Sequence, residues 1–168
     1  MDANILSESV EPVAETTAHN ALRPIVFGGL TVGILDGLAA CITAGLRGVT
    51  PDMVFHYIAS ALLGRETSYN GGTPTVLLGV FLHFCVAFGA AAGFYFVSRV
   101  IPAALKYVWI SGPLYGVVVY FVMGNLIVPL TAAPKLQSTG RGMITGILIH
   151  MVCVGLPIAL WARAGAKR

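Results

Sequence analysis

Residues 28–47, "GGLTVGILDGLAACITAGLR", have the length and apolar character of a membrane crossing, yet carry a carboxylate, Asp36, near the middle. A charge at the centre of a bilayer costs roughly 2.5–3.5 kcal/mol on insertion scales. The whole composition shows what environment this stretch expects. Of the 168 residues, 57% are hydrophobic and 10% charged, with a mean hydropathy of +0.83. Soluble domains carry about 25% charged residues. So few charges cannot cover a water-facing surface, and the class expected is an integral membrane protein.

Four segments reach the roughly 30 Å of a hydrocarbon core at about 1.5 Å per residue: 24–46, 75–98, 108–130 and 142–162. They predict an all-α, four-span bundle. Residues 1–22 hold Asp2, Glu8, Glu11 and Glu15, with no Lys or Arg before Arg23. They read as an acidic, disordered tail and not as a secretory signal, which needs a basic start. Residues 164–168 form a basic tail. In the long first loop, "PDMVFHYIASALLG" reads as a short amphipathic helix. Thr50 is a candidate N-cap, Pro51 opens the first turn, Asp52 favours it and Gly64 can end it. Too short to span, this helix is expected flat at the interface or as a re-entrant element.

Lys and Arg divide unevenly between the two sides. Six (Arg23, Arg99, Lys106, Arg163, Lys167, Arg168) fall with the termini and the second loop, and four (Arg47, Arg65, Lys135, Arg141) with the other loops. The bias predicts both termini in the cytoplasm and the long loop outside. Tyr107, Trp109 and Trp161 would then mark the inner boundary as an aromatic belt.

On a helical projection Asp36 shares its side with Gly29, Val32, Gly33, Ala39, Ala40 and Thr43, while Phe27, Ile34, Leu38 and Ile42 lie opposite. The carboxylate thus sits on a small-residue face where another helix approaches closely. His83 shares its side with Gly79, Ala87 and Ala90, opposite Phe81, Cys85, Phe88 and Phe96. His150 has Gly146, Val154 and Pro157 on its side. Counted from the outer ends of their spans, His83 lies about 12 Å deep, His150 about 13 Å, Asp36 about 16 Å and Asn125 about 9 Å. Asp36, His83, Asn125 and His150 are therefore the candidate buried polar cluster. The expectation is that one or both histidines pair with Asp36 and Asn125 satisfies what is left, since an isolated buried carboxylate would take up a proton. The alternative is that these groups are helix glue. His19 and His56 read as solvated or headgroup-facing, unless the short helix folds inward. Pro157 frees the carbonyl of Cys153, and Pro129 and Pro134 end the third helix.

The three cysteines, Cys41, Cys85 and Cys153, lie in apolar runs and read as small buried hydrophobes. Leu38-Ala39-Ala40-Cys41 looks like a lipidation signal, but Asp36 interrupts its apolar core. There is no GxSxG, phosphate loop, HExxH or CxxC, so nothing points to an enzyme. No basic block suggests nucleic acid.

The strings "IASALLG" (58–64), "LHFCVAFGAAA" (82–92), "GPLYGVVVYFVM" (112–123) and "IHMVCVGLPIAL" (149–160) make the chain resemble a group of small four-span bacterial inner-membrane proteins without an assigned activity. The resemblance covers residues 24–163. It implies a bacterial inner-membrane location and transfers no cofactor or catalytic residue.

Three functions fit these residues; the first is the one expected, and the other two are alternatives. The first is a non-catalytic structural or interaction bundle, partnered by the lipid bilayer and by itself or a larger membrane complex. The second is a small proton-coupled transporter or carrier, working as an oligomer. The third is a haem- or metal-binding protein, with His83 and His150 as axial ligands or His83, His150 and Asp36 as a metal triad.

Overall fold

The computed structural model describes residues 13–135 and 140–166, with side chains from residue 22 onward. Among the described residues 89% are helical and none forms a strand. The elements are α1 (Val13–Gly45), α2 (Pro51–Leu63), α3 (Arg65–Asn70), α4 (Gly72–Val100), α5 (Ala103–Lys106), α6 (Val108–Val122), α7 (Gly140–Ile149) and α8 (Leu156–Ala166). Four stretches are long and apolar enough to cross a membrane: Leu22–Gly45, Gly72–Val100, Val108–Leu130 and Gly140–Ala166. Helix α1 begins at Val13, so the helical residues reach into the stretch read from sequence as a disordered tail. Residues 1–12, 167 and 168, and the side chain of His19, lie outside the described residues.

The third and fourth long helices are not uniform. Both open into a π-helix, Met123–Ile127 after α6 and His150–Gly155 between α7 and α8. Each π segment ends two residues before a proline, Pro129 or Pro157. Proline has no N–H and its ring crowds the carbonyl four residues back, here Asn125 and Cys153. The wider turn accommodates both defects without ending the helix. Pro129 then sits in a 3₁₀ turn, Val128–Leu130.

Two glycine seams hold the long helices together. On α1, Gly29 and Gly33 receive the rings of Phe88 and Phe84, one turn apart on α4, and Gly37 receives His83. Phe88 is therefore half-buried, where the sequence reading put it on the outward face. Phe27, Ile34, Leu38, Ile42, Phe81 and Phe96 do face outward. Gly112 and Gly116 of α6 press against the backbone of Gly155 and His150, so close that a Cβ at Gly116 or Gly155 would overlap main-chain atoms. Toward one end of the molecule Phe94, Val108, Ile158 and Ala159 are almost wholly buried in the apolar core. Tyr115 ties α6 to α4 there, donating to the Ala90 carbonyl at 2.8 Å and meeting Phe94 edge-on at 5.1 Å.

At the opposite end α2 lies against α4, backbone to backbone, where Phe55 meets Gly79. Gly64 ends α2 with φ +72°, the left-handed region glycine adopts freely. Thr50 occupies the N-cap position but makes no side-chain cap. Its hydroxyl instead holds the Asp52 carboxyl below the usual carboxylate range. The three cysteines are free thiols, and Cys85 is exposed, contrary to the expected burial.

The second seam makes a test. Gly155→Ala forces a Cβ into the Gly112 carbonyl and should destabilise the protein by about 1–3 kcal/mol. Gly89→Ala meets open space and should cost nothing. Thermal unfolding of the two variants in detergent measures the difference.

Candidate functional site

Three of the four sequence-selected polar residues line one cavity. Asp36 from α1, His83 from α4 and His150 from the start of the second π segment share a space of about 170 Å³. Val32, Ala87, Val119, Met123 and Val154 supply apolar walls, and Ile58 of α2 closes one side. At roughly 10–15 Å³ of such volume per molecule, several waters fit.

Each imidazole is anchored on a main-chain carbonyl. His83 Nε2 lies 2.9 Å from the Gly33 oxygen on the neighbouring α1. His150 Nδ1 lies 2.9 Å from the Gly146 oxygen, one turn back on its own helix. A carbonyl only accepts, so His83 carries a proton on Nε2 and His150 on Nδ1. Nδ1 of His83 and Nε2 of His150 make no hydrogen bond with the described residues. Each ring can therefore take a second proton without breaking its anchor. The ring of His83 rests against Gly37, where a Cβ would stand 3.1 Å from Nε2. Phe55 meets it edge-on at 6.4 Å. Tyr120 meets the His150 ring edge-on at 5.3 Å and occupies the space above Gly146.

Two expectations need correction. Asp36 forms no ion pair with either histidine, and it has no hydrogen bond with the described residues. The imidazoles spend their protons on backbone carbonyls, and the carboxylate faces them across the cavity. Asn125 does not join the group. It is exposed and donates to the Phe121 carbonyl of its own helix at 3.1 Å. Met123 lines the cavity, and a residue two places on points about half a turn away. Depth along a helix says nothing about which face a residue takes.

The metal and haem readings fare poorly on geometry. Among the described residues no three His, Cys, Asp or Glu side chains stand close enough to hold a metal ion. Pockets for organic ligands of drug size run about 300–1,000 Å³, and a porphyrin does not fit in 170 Å³.

His56 is the residue sequence reasoning misplaced. It is buried, 5% exposed, and its Nδ1 lies 2.9 Å from Thr75 Oγ1. The Thr75 hydroxyl donates to the Ser68 carbonyl at 2.8 Å, and Ser68 donates to the His56 carbonyl. With its single proton spent on a carbonyl, Thr75 accepts from His56 Nδ1–H. Tyr69 stacks on the imidazole at 5.8 Å. This network fastens α2 and α3 to α4. The signal was present as Ser68 and Thr75, polar residues flanking the "NGG" turn, but nothing along the chain aimed them at His56.

Two measurements follow from these bonds. Imidazole ¹⁵N shifts at high pH should report the Nε2–H form for His83 and the Nδ1–H form for His150. Thr75→Val strands the buried His56 N–H and should cost about 1–3 kcal/mol, with faster tryptic cutting at Arg65. Thr73→Val, at an exposed position, should change neither.

No protein-family model, no curated protein and no solved structure matches this chain, so the resemblance rests on the quoted strings alone.

Proposed function

We propose that the four apolar helices cross a bacterial inner membrane as a bundle, and that the Asp36–His83–His150 cavity is the proton-binding site of a small proton-coupled carrier. Both termini lie in the cytoplasm in this reading, on the count of six basic residues against four. Helices α2 and α3 then form the external interfacial element, drawn inward over the cavity by the His56 network. Four spans are few for a carrier, and a homo-oligomer is the working unit.

One observation carries the reading: three titratable side chains from three different long helices line the same cavity. Ionisable groups within a membrane are expensive, and they mark proton and substrate paths by default. Asp36 makes no hydrogen bond with the described residues and faces the imidazoles across a cavity with room for water. A proton leaving Nδ1 of His83 or Nε2 of His150 can pass through water to an Asp36 oxygen. The ring returns to its neutral form and the carboxylate becomes a carboxylic acid. The carbonyl anchors keep the ring orientation constant throughout.

The non-catalytic interaction bundle is what remains if the site does not titrate. Infrared difference spectra between pH 5 and 9 should show a protonated carboxyl band that disappears in Asp36→Asn. Proton flux in reconstituted vesicles should be lost in the same variant. It should fall at least about tenfold in His83→Gln and His150→Gln. A wild-type protein with no such band, and with flux equal to Asp36→Asn, overturns the carrier.

A further inference from the structure

A second, larger cavity of about 750 Å³ lies between the end of α1 and the α2–α3 pair, and it shares no residue with the first. Its wall joins one cation to two phenols and an apolar floor: Arg47, Tyr57 and Tyr69 with Ala40, Val49 and Met53. Arg47 follows the last residue of α1, Gly45, by two positions. Its Nε donates to the Thr43 carbonyl at 3.1 Å, which leaves the four N–H groups of its terminal nitrogens for a ligand. Among the described residues no carboxylate lines the cavity. The nearby Asp52 is outside the wall and is engaged by Thr50. Arg65, outside the lining, stacks near one of its phenols, its guanidinium 5.7 Å from the Tyr69 ring centre. Burial and the neighbouring Tyr69 push the Tyr57 phenol up, so it stays a donor at neutral pH.

The wall therefore offers side-chain donors and a positive charge, and most of the rest is apolar. Bare phosphate would leave most of the volume and the floor empty. A neutral hydrocarbon would leave the Arg47 donors unused. An amphiphile with an anionic head satisfies both. We propose that this cavity binds one anionic phospholipid, with its phosphate on Arg47 and the tyrosine hydroxyls and an acyl chain along Ala40, Val49 and Met53. The inference rests on the membrane-spanning reading above, because Arg47 at the end of a spanning helix then stands at headgroup depth.

The test uses the full chain in a nonionic detergent, with native mass spectrometry as readout. The probes are phosphatidylglycerol, a diacylglycerol with the same chains, and inorganic phosphate. Phosphatidylglycerol should stay bound, and Arg47→Gln should weaken it about tenfold or more. Tyr57→Phe should weaken it about two- to tenfold. Arg163→Gln, a cation away from this cavity, should leave it unchanged. Arg47 is exposed, and its variant should keep the wild-type unfolding temperature. If that variant fails to fold, Tyr57→Phe decides alone. Diacylglycerol binding as well as phosphatidylglycerol overturns the assignment. So does full displacement by millimolar inorganic phosphate, or equal weakening in Arg163→Gln. A protein that stays dispersed without detergent would show that the membrane reading itself has failed. A folded, detergent-dependent protein that ignores phosphatidylglycerol fails only this inference.

Discussion

The structure depends on backbones that approach each other where side chains are missing. Gly29, Gly33 and Gly37 form a groove on α1 that takes three rings from α4, and the third of those rings is His83. Only this closeness lets His83 Nε2 reach the Gly33 carbonyl on another helix. The second seam has the same logic, with Gly116 set against the main chain of His150. Small residues at helix contacts let packing and interhelical hydrogen bonds form together, which matters most where no hydrophobic force favours association. The glycines thus set the positions of both histidines without touching a proton.

The prolines of the third and fourth long helices mark where regular helix gives way beside the cavity. Toward Phe94, Val108 and Ile158 the apolar core is closed, with those side chains almost wholly buried. Toward the other end the third and fourth long helices widen into π turns before Pro129 and Pro157. Met123 and His150 begin those two turns, and both line the cavity. The wider second turn still lets Gly112 and Gly116 press against its backbone, and its first residue, His150, lines the cavity.

Helix α2 is the wall between two chemically different spaces. Ile58 faces the cavity with the titratable groups, while its neighbours Met53, Val54 and Tyr57 face the larger one beside Arg47. Its position comes from a buried polar network of His56, Thr75 and Ser68, which leaves no described buried side-chain polar atom without a partner. A helix held this way is fixed by direction and not only by apolar contact. It can therefore separate the cavity of the titratable groups from an amphipathic one across a single helix width.

The four long helices, the short helix ending at Gly64 and the disturbance at Pro157 were legible along the chain, because each follows from local composition or from one residue's backbone chemistry. The orientation of Asp36 and His83 was also legible, since helical periodicity sorts small residues from large ones within one helix. Periodicity stops at the helix boundary. It could not say that the imidazoles would bond to carbonyls and leave Asp36 unpaired, because those acceptors lie in backbone that every sequence shares. Nor could it separate Asn125 from the cluster, since depth is a count along one axis and membership depends on rotation about it. His56 turned from an expected surface residue into a buried anchor because Ser68 and Thr75 reach it only after the chain has reversed. Residue types and spacing set which helices form and which faces are small; how those faces meet across helices decides which polar groups share a cavity.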